Sequence, residues 1–137
     1  MRSVLFTTAE YASVSNDGKL SLMGIFDSIQ AATFPAASPR MYLVAQFKAE
    51  PDEYGRIFEV MFQLHNSNGD TLIQLSGAGE VPDSEHNLSV LMNQVVTLNN
   101  VSFEAPGDYV FTAHIDGTEA ARLPFVVVAM KKPNNQV

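Results

Sequence analysis

The chain contains no cysteine and no tryptophan among its 137 residues. Without cysteine it cannot form disulfides, thiolate metal sites or thiol nucleophiles. Its stability must therefore come from packing and hydrogen bonding, which is typical of proteins in reducing compartments.

Long hydrophobic segments are missing as well. Residues 4–6 are far shorter than the apolar region of a signal peptide. The apolar stretch at 123–130 contains Pro124 and covers only eight positions, whereas a membrane span needs ~20. We therefore expect a cytoplasmic protein with neither an export signal nor a membrane partner.

Basic residues are few. Eight Lys and Arg stand against 15 Asp and Glu, which gives a formal net charge of −7. This is the wrong sign for attraction to phosphate backbones, and Lys131 and Lys132 are the only adjacent basic pair. The sequence thus predicts no nucleic-acid partner. With 46% hydrophobic residues, it favours a single folded domain over 1–130, followed by a polar tail at 131–137.

Apolar residues alternate with period two along most of the chain, and the gaps carry Gly, Pro, Asn and Asp. This pattern is typical of β-strands. Tight turns are indicated by Asp17-Gly18, by Asn68-Gly69 and around Gly117. We predict an all-β, antiparallel two-sheet β-sandwich of about eight strands, with a jelly roll or a closed barrel as alternatives. The predicted strands are 3–14, 20–29, 41–50, 57–65, 71–78, 88–103, 109–116 and 120–130, and a kink is predicted within 88–103 at Asn99-Asn100.

Two of these strands carry additional predictions. In strand 20–29, Gly24 indicates a bulge or a close backbone approach, and Met23 and Ile25 belong to a face that should be at least partly covered. In the last strand both faces are apolar at 126–128. That strand should be central in its sheet or covered by a partner.

Pro106-Gly107-Asp108-Tyr109 precedes an alternating strand. It resembles the tyrosine corner of immunoglobulin-like domains, which implies a hydrogen bond from the Tyr109 hydroxyl to the backbone of the preceding turn.

A second resemblance extends from Tyr11 to Phe125. Its residues look like those of a family of small uncharacterised bacterial proteins. The family brings no known activity, cofactor or catalytic residue. The residues that carry the likeness are 9–14, 16–20, 24–27, Phe34-Pro35 and the Pro106–Tyr109 turn.

Catalytic and metal-binding residue sets are not evident. The spacing of His65, His86 and His114 matches no metal motif, so exposed histidines are the simpler interpretation. Asp108 and Asp116 adjoin glycines, which favours turn roles over calcium binding. Ser76–Gly79 is predicted to be a strand end or bulge. We expect no metal, no cofactor and no catalytic residue.

One candidate ligand or partner surface remains. Exposed aromatic and aliphatic side chains could form a platform for a sugar or an apolar peptide, although strand aromatics also serve as ordinary packing. The residues are Tyr11, Tyr42, Tyr54, Ile57 and Met61.

Three functions follow in order of preference. The first is a non-catalytic binding or scaffold module that acts through protein–protein contacts, including a homodimer. It rests on the absence of catalytic residues and on the apolar terminal strand. The second is a carbohydrate-binding sandwich. The third is an enzyme, a hydrolase or isomerase that uses a histidine with a carboxylate.

Overall fold

The computed structural model describes residues 1–131. Its regular structure is a set of β-strands and one short 3₁₀ turn at Pro51–Glu53. The strands are β1 Arg2–Val14, β2 Leu20–Phe26, β3 Ser28–Ala31, β4 Ala36–Ala37, β5 Met41–Ala49, β6 Ile57–His65, β7 Thr71–Glu80, β8 Val90–Leu98, β9 Ser102–Phe103, β10 Gly107–Ile115 and β11 Thr118–Ala129.

The strands form two main sheets. A four-stranded sheet has the order β2-β1-β5-β8, and a five-stranded sheet has the order β3-β11-β10-β6-β7. All neighbours are antiparallel except β3 and β11. The predicted all-β, antiparallel fold is confirmed. Because each sheet ends in edge strands, a sandwich describes it better than a closed barrel.

The core lies between the two sheets. Alternation along β5 directs Met41, Leu43 and Phe47 inward, and β6 contributes Phe58 and Phe62 from the opposite sheet. Each buried side chain of this size contributes about 1.5–3 kcal/mol to the free energy of unfolding.

Aromatic rings make up the centre of this core. The Phe125 ring centroid lies 5.4 Å from that of Phe111 and 6.0 Å from those of Phe103 and Phe26. The rings of Phe103, Phe111 and Phe125 are fully buried. Since Phe26 belongs to the four-stranded sheet and Phe111 and Phe125 to the other, this cluster joins the two layers.

The predicted turns are present. Gly18, Gly69 and Gly117 each have a φ of +82°, in the left-handed region that glycine reaches without steric cost. Asp116 precedes Gly117 with a φ of +50°, a conformation that Asp tolerates better than most residues. Local chemistry therefore set these three hairpins.

The predicted tyrosine hydrogen bond is confirmed. The Tyr109 hydroxyl donates to the carbonyl of Ala105 at 2.6 Å. The Tyr109 ring packs edge-on against Phe103, with centroids 4.8 Å apart. The turn before β10 is thus fixed both by a hydrogen bond and by the core.

The prediction of one strand over 20–29 is wrong. The chain leaves the four-stranded sheet after Phe26 and enters the five-stranded sheet at Ser28, and the Asp27 carbonyl accepts a hydrogen bond from Val126 N at 3.0 Å. The expected irregularity at Gly24 is confirmed, because its φ is +68° and an added Cβ would lie 2.8 Å from Cδ of Glu10.

The predicted strand 88–103 is interrupted at Asn99-Asn100, where the sequence predicts a kink. It ends at Leu98, Asn100 takes a φ of +53°, and β9 then pairs with β4. That short strand β4, Ala36–Ala37, lies between the predicted strands 20–29 and 41–50, where no strand is predicted. Residues 76–79 form the end of strand β7, as predicted, and Gly79 lies against the Phe58 ring.

The terminal strand is central where the sequence predicts it. Val126 and Val127 of β11 pair with β10 on one side and with β3 on the other. Val127 is buried, while Val126 and Val128 are 38% and 42% exposed. A second chain therefore cannot add to β11 at this position. Residues 132–137 of the predicted tail lie outside the described residues.

Candidate binding surface

Tyr11 and Tyr42 lie together on the outer face of the four-stranded sheet. Tyr42 pairs with Ala9 on β1, two residues before Tyr11. The two rings meet edge to face, with centroids 5.9 Å apart and planes at 74°. Cζ of Arg40 lies 5.5 Å from the Tyr42 centroid, a distance typical of a cation–π contact.

Two aliphatic side chains of β2 extend this surface. Met23 is opposite Tyr11 and Ile25 is opposite Ala9. Met23, Ile25 and Tyr11 are 69%, 62% and 51% exposed. These side chains of β2 are more exposed than the sequence predicts, because β2 is an edge strand. The term tyrosine patch denotes Tyr11, Met23, Ile25, Arg40 and Tyr42.

The rest of this outer face is better covered. Val44 is fully buried although it alternates with the core-facing residues of β5. The Asn93 amide on β8 donates to the Gly18 carbonyl at 3.0 Å. Since β5 separates β1 from β8, this contact requires the β1–β2 hairpin to bend across the sheet. The sheet is therefore curled, and the tyrosine patch is left exposed.

A pocket adjoins the tyrosine patch through Arg40. Its volume is about 480 Å³. Phe26, Ile29 and Pro39 supply apolar walls, and Glu10 and Arg40 supply charged groups. An apolar wall with a few polar groups is the usual composition of a binding pocket.

The other three predicted surface residues lie elsewhere. Tyr54 follows the 3₁₀ turn, is half-buried, and donates its hydroxyl to the Leu88 carbonyl. Ile57 and Met61 belong to β6 in the five-stranded sheet, where Ile57 is 75% exposed. Only Tyr11 and Tyr42 are in contact, so the five residues do not form one platform.

A histidine network occupies the outer face of the five-stranded sheet. Nε2 of His65 and Nε2 of His114 lie 3.3 and 3.0 Å from the Thr112 hydroxyl. Nδ1 of His65 also lies 3.2 Å from the Thr71 hydroxyl. His65 and His114 are half-buried rather than exposed as predicted, and only His86 is exposed in its loop. The adjacency of β6 and β10 brings them together, and their sequence spacing gives no sign of it.

Hydrogen-bond chemistry limits what this network can do. A hydroxyl has one proton to donate and lone pairs to accept, so Thr112 can donate to one imidazole and accept from the other. Thr112 is only 2% exposed, which keeps its oxygen from an external substrate. Over residues 1–131 no histidine ring hydrogen-bonds a carboxylate, and no group of three or more metal-ligating side chains occurs.

Two ion pairs involve residues at the β10–β11 end of the five-stranded sheet. Arg122 pairs with Glu119 at 3.0 Å and lowers the pKa of that carboxyl. At the β10–β11 turn, the Asp116 carboxylate accepts from the Glu59 backbone N–H at 2.9 Å and from Arg56 at 2.6 Å. The Glu59 N–H first, and Arg56 second, lower the pKa of Asp116. These contacts fasten the turn to β6.

Helices long and apolar enough to cross a membrane are absent from the described part of the chain. Among curated proteins, none matches the sequence. A solved structure of Pseudomonas fluorescens alkylpurine DNA glycosylase AlkC, bound to DNA containing an abasic site analog, matches with a TM-score of 0.44 and 11% identity. The match covers 90% of this chain and 30% of that one, so this chain spans under a third of the glycosylase's length.

A family model covers nearly the whole of the two-sheet fold. Residues 4–128 match the model described as a family of unknown function, DUF6941. The matched region includes the tyrosine patch, the histidine network and the tyrosine corner. The chain therefore belongs to this family of unknown function.

Proposed function

We propose that the chain is a non-catalytic protein-binding module whose contact surface is the tyrosine patch with the adjoining pocket. The observation that carries this proposal is the exposure of Met23, Ile25 and Tyr11 side by side, at 69%, 62% and 51%. Soluble domains rarely leave neighbouring large apolar side chains exposed unless they contact a partner.

The composition of the patch supports a protein partner. Tyr, Met and Arg are enriched in protein interfaces, because they combine a large apolar area with a polar group. Arg40 forms no ion pair within residues 1–131. A partner that places an apolar side chain in the 480 Å³ pocket and a carboxylate beside Arg40 fits this surface.

Ring geometry disfavours the carbohydrate alternative. Sugar rings stack on flat, accessible aromatic faces. One face of Tyr42 carries Arg40, and its ring meets Tyr11 at 74° rather than in one plane. The patch thus offers separate apolar protrusions instead of a flat platform.

Site-specific photo-crosslinking in the source cells tests the proposal. A photoreactive residue at position 23 should give a covalent adduct with a defined partner chain, and the same residue at position 91 should not. Leu91 is a matched control, because it is 53% exposed on the opposite edge strand β8. Identical adducts from both positions would contradict the proposal.

Binding to the captured partner gives the quantitative test. Ile25→Glu should weaken it by at least about tenfold, as expected for a residue at an interface centre, while Leu91→Glu should leave it unchanged. Thermal unfolding of both variants verifies the fold. If oligosaccharides shift the NMR signals of Tyr11 and Tyr42 and no protein adduct forms, the function is carbohydrate binding instead.

A further inference from the structure

Strand β7 ends the five-stranded sheet. It spans ten residues, Thr71–Glu80, and pairs with β6 on one side only. Its first charged residue is Glu80, and it contains no proline. Leu72 and Leu75 are 40% and 39% exposed. A long, uncharged and partly apolar edge is a template for pairing with another strand.

The free edge of β11 is built differently. Residues 118–125 pair with β10 alone, and they include Glu119, Arg122 and Pro124. Charges and proline are the usual means by which an edge avoids intermolecular pairing. Strand β7 has no charged residue before Glu80 and no proline.

The edges of the four-stranded sheet are also obstructed. In β2 the positive φ of Gly24 interrupts the regular backbone. Strand β8 is free of charge, and the β1–β2 turn covers part of its outer face through the bond from Asn93 to Gly18. Among the long edge strands of residues 1–131, β7 has a bulge only near its start, where Leu72 lies between the paired residues Thr71 and Ile73, and it has no covering segment.

We propose that two copies of this chain associate through β7, antiparallel about a twofold axis that passes through Gln74, to form one continuous ten-stranded sheet. This association uses a surface separate from the tyrosine patch and stands independently of the function proposed above. A twofold contact of a strand with itself is isologous and closes at two copies.

Side-chain pairing selects this register. With Gln74 opposite its copy, Ile73 lies opposite Leu75 of the second copy, and both residues face the core because they pair with Leu64 and Phe62. Two apolar pairs therefore form on the core side. Such cross-strand pairs stabilise antiparallel sheets.

Charge disfavours the neighbouring register. If Leu75 were opposite its copy, Asp70 would lie opposite Glu80, which places like charges together at both ends of the pairing. In the proposed register Asp70 lies nearest to Ala78, and Glu80 extends beyond the paired residues 71–77. The chain's net charge of −7 also favours contact through an uncharged segment.

A groove beside β7 would be filled on association. It has a volume of about 510 Å³ and lies between residues 72–75 of β7 and residues 97–102. Leu72 and Leu75 form part of its wall. Ile73 and Leu75 of the second copy would approach this open side of the sandwich and reduce the exposure of its apolar side chains.

Disulfide trapping tests the register, because the chain has no cysteine. Directly opposite residues in antiparallel strands have Cα atoms about 4.5–5.5 Å apart, within the range that a disulfide spans. Gln74→Cys should therefore give a covalent dimer on oxidation. Leu75→Cys should not, since its two copies would lie about 8 Å apart. A disulfide at position 75 and not at 74 would overturn the proposal.

Sedimentation over a dilution series tests the association itself. The unmodified chain should form dimers at high micromolar concentration, and Leu75→Lys should weaken the association by at least about tenfold by breaking both apolar pairs. Leu91→Lys on the other sheet should have no effect. A strict monomer overturns the proposal. If Leu75→Lys fails to fold, the cysteine variants still decide it.

Discussion

The outer faces of the two sheets differ in whether their side chains find contact partners within the chain. On the five-stranded sheet, Thr112 is buried between His65 and His114, and its hydroxyl hydrogen-bonds both imidazoles. On the four-stranded sheet, Met23 and Ile25 remain 69% and 62% exposed without a covering layer in the described chain. The contacts around Thr112 are completed within the chain, although Ile57 on the same sheet is 75% exposed. The tyrosine patch instead presents several neighbouring apolar side chains to solvent.

This difference indicates which contacts stabilise the folded chain and which side chains are available to a partner. A hydroxyl and two imidazoles that bond one another lower the free energy of the folded chain and leave little for a partner to use. Exposed methyl and thioether groups contribute almost nothing to folding and gain energy only when covered. This contrast is why we propose the four-stranded face as the binding surface.

The largest effect is expected for the residue buried beneath the four-stranded face. Val44→Ala should lower the free energy of unfolding by about 2 kcal/mol, because it deletes two buried carbon atoms and leaves a cavity. Urea denaturation measures it. The control is Val95→Ala, at the directly opposite and half-buried position, which should lose less. Equal losses would show that Val44 is not enclosed as described.

A smaller effect is expected in the histidine network. Thr112→Val keeps the volume but removes the hydroxyl that both imidazoles share, and it should cost about 1 kcal/mol. The NMR signals of the imidazole nitrogens should shift for His65 and His114 and not for His86. Thr97→Val, at an exposed site, serves as control. An unchanged free energy of unfolding would mean that the network adds no stability.

Substitutions in the tyrosine patch should barely affect folding. The double variant Met23→Thr with Ile25→Thr should change the free energy of unfolding by less than about 0.5 kcal/mol, because these side chains are exposed and threonine suits strands. Ile29→Thr, whose side chain packs against the core, should lose clearly more. A large loss from the double variant would mean that the patch is structural.

The smallest effect concerns acid stability at the end of the five-stranded sheet. The folded pKa of Asp116 lies below its ordinary value of 3.8. Its contribution to stability is therefore present above that ordinary pKa and disappears as the pH falls through the folded pKa. Asp116→Asn should flatten the fall in stability on acidification below about pH 4, measured by urea denaturation at each pH. A parallel pH profile for both proteins would contradict this role.

Much of the fold could be predicted from local sequence. The hairpins at Gly18, Gly69 and Gly117 and the Tyr109 corner depend on neighbouring residues, so their signals are contained within a few positions. The break at Asp27 could not be found this way, because neither glycine nor proline marks residues 26–29, where the chain changes sheets.

The candidate site was only half predictable. Tyr11 and Tyr42 stood out as strand aromatics, whereas Met23 and Ile25 were assigned to a covered face. Alternation identifies two faces of a strand but does not say which neighbour, if any, lies on each. The edge position of β2 decides their exposure, and edge position follows from strand order.

The sequence by itself determined the class of fold, the turns, the inward residues of β5 and β6, and the absence of cysteine chemistry. The tertiary structure alone decided that His65 and His114 share the Thr112 hydroxyl, that the tyrosine patch is exposed, and that β7 has a free edge. The physical reason is the sequence separation between the residues that determine each feature. Turn conformation and alternation depend on residues a few positions apart, whereas strand neighbours are set by packing between residues far apart in the chain.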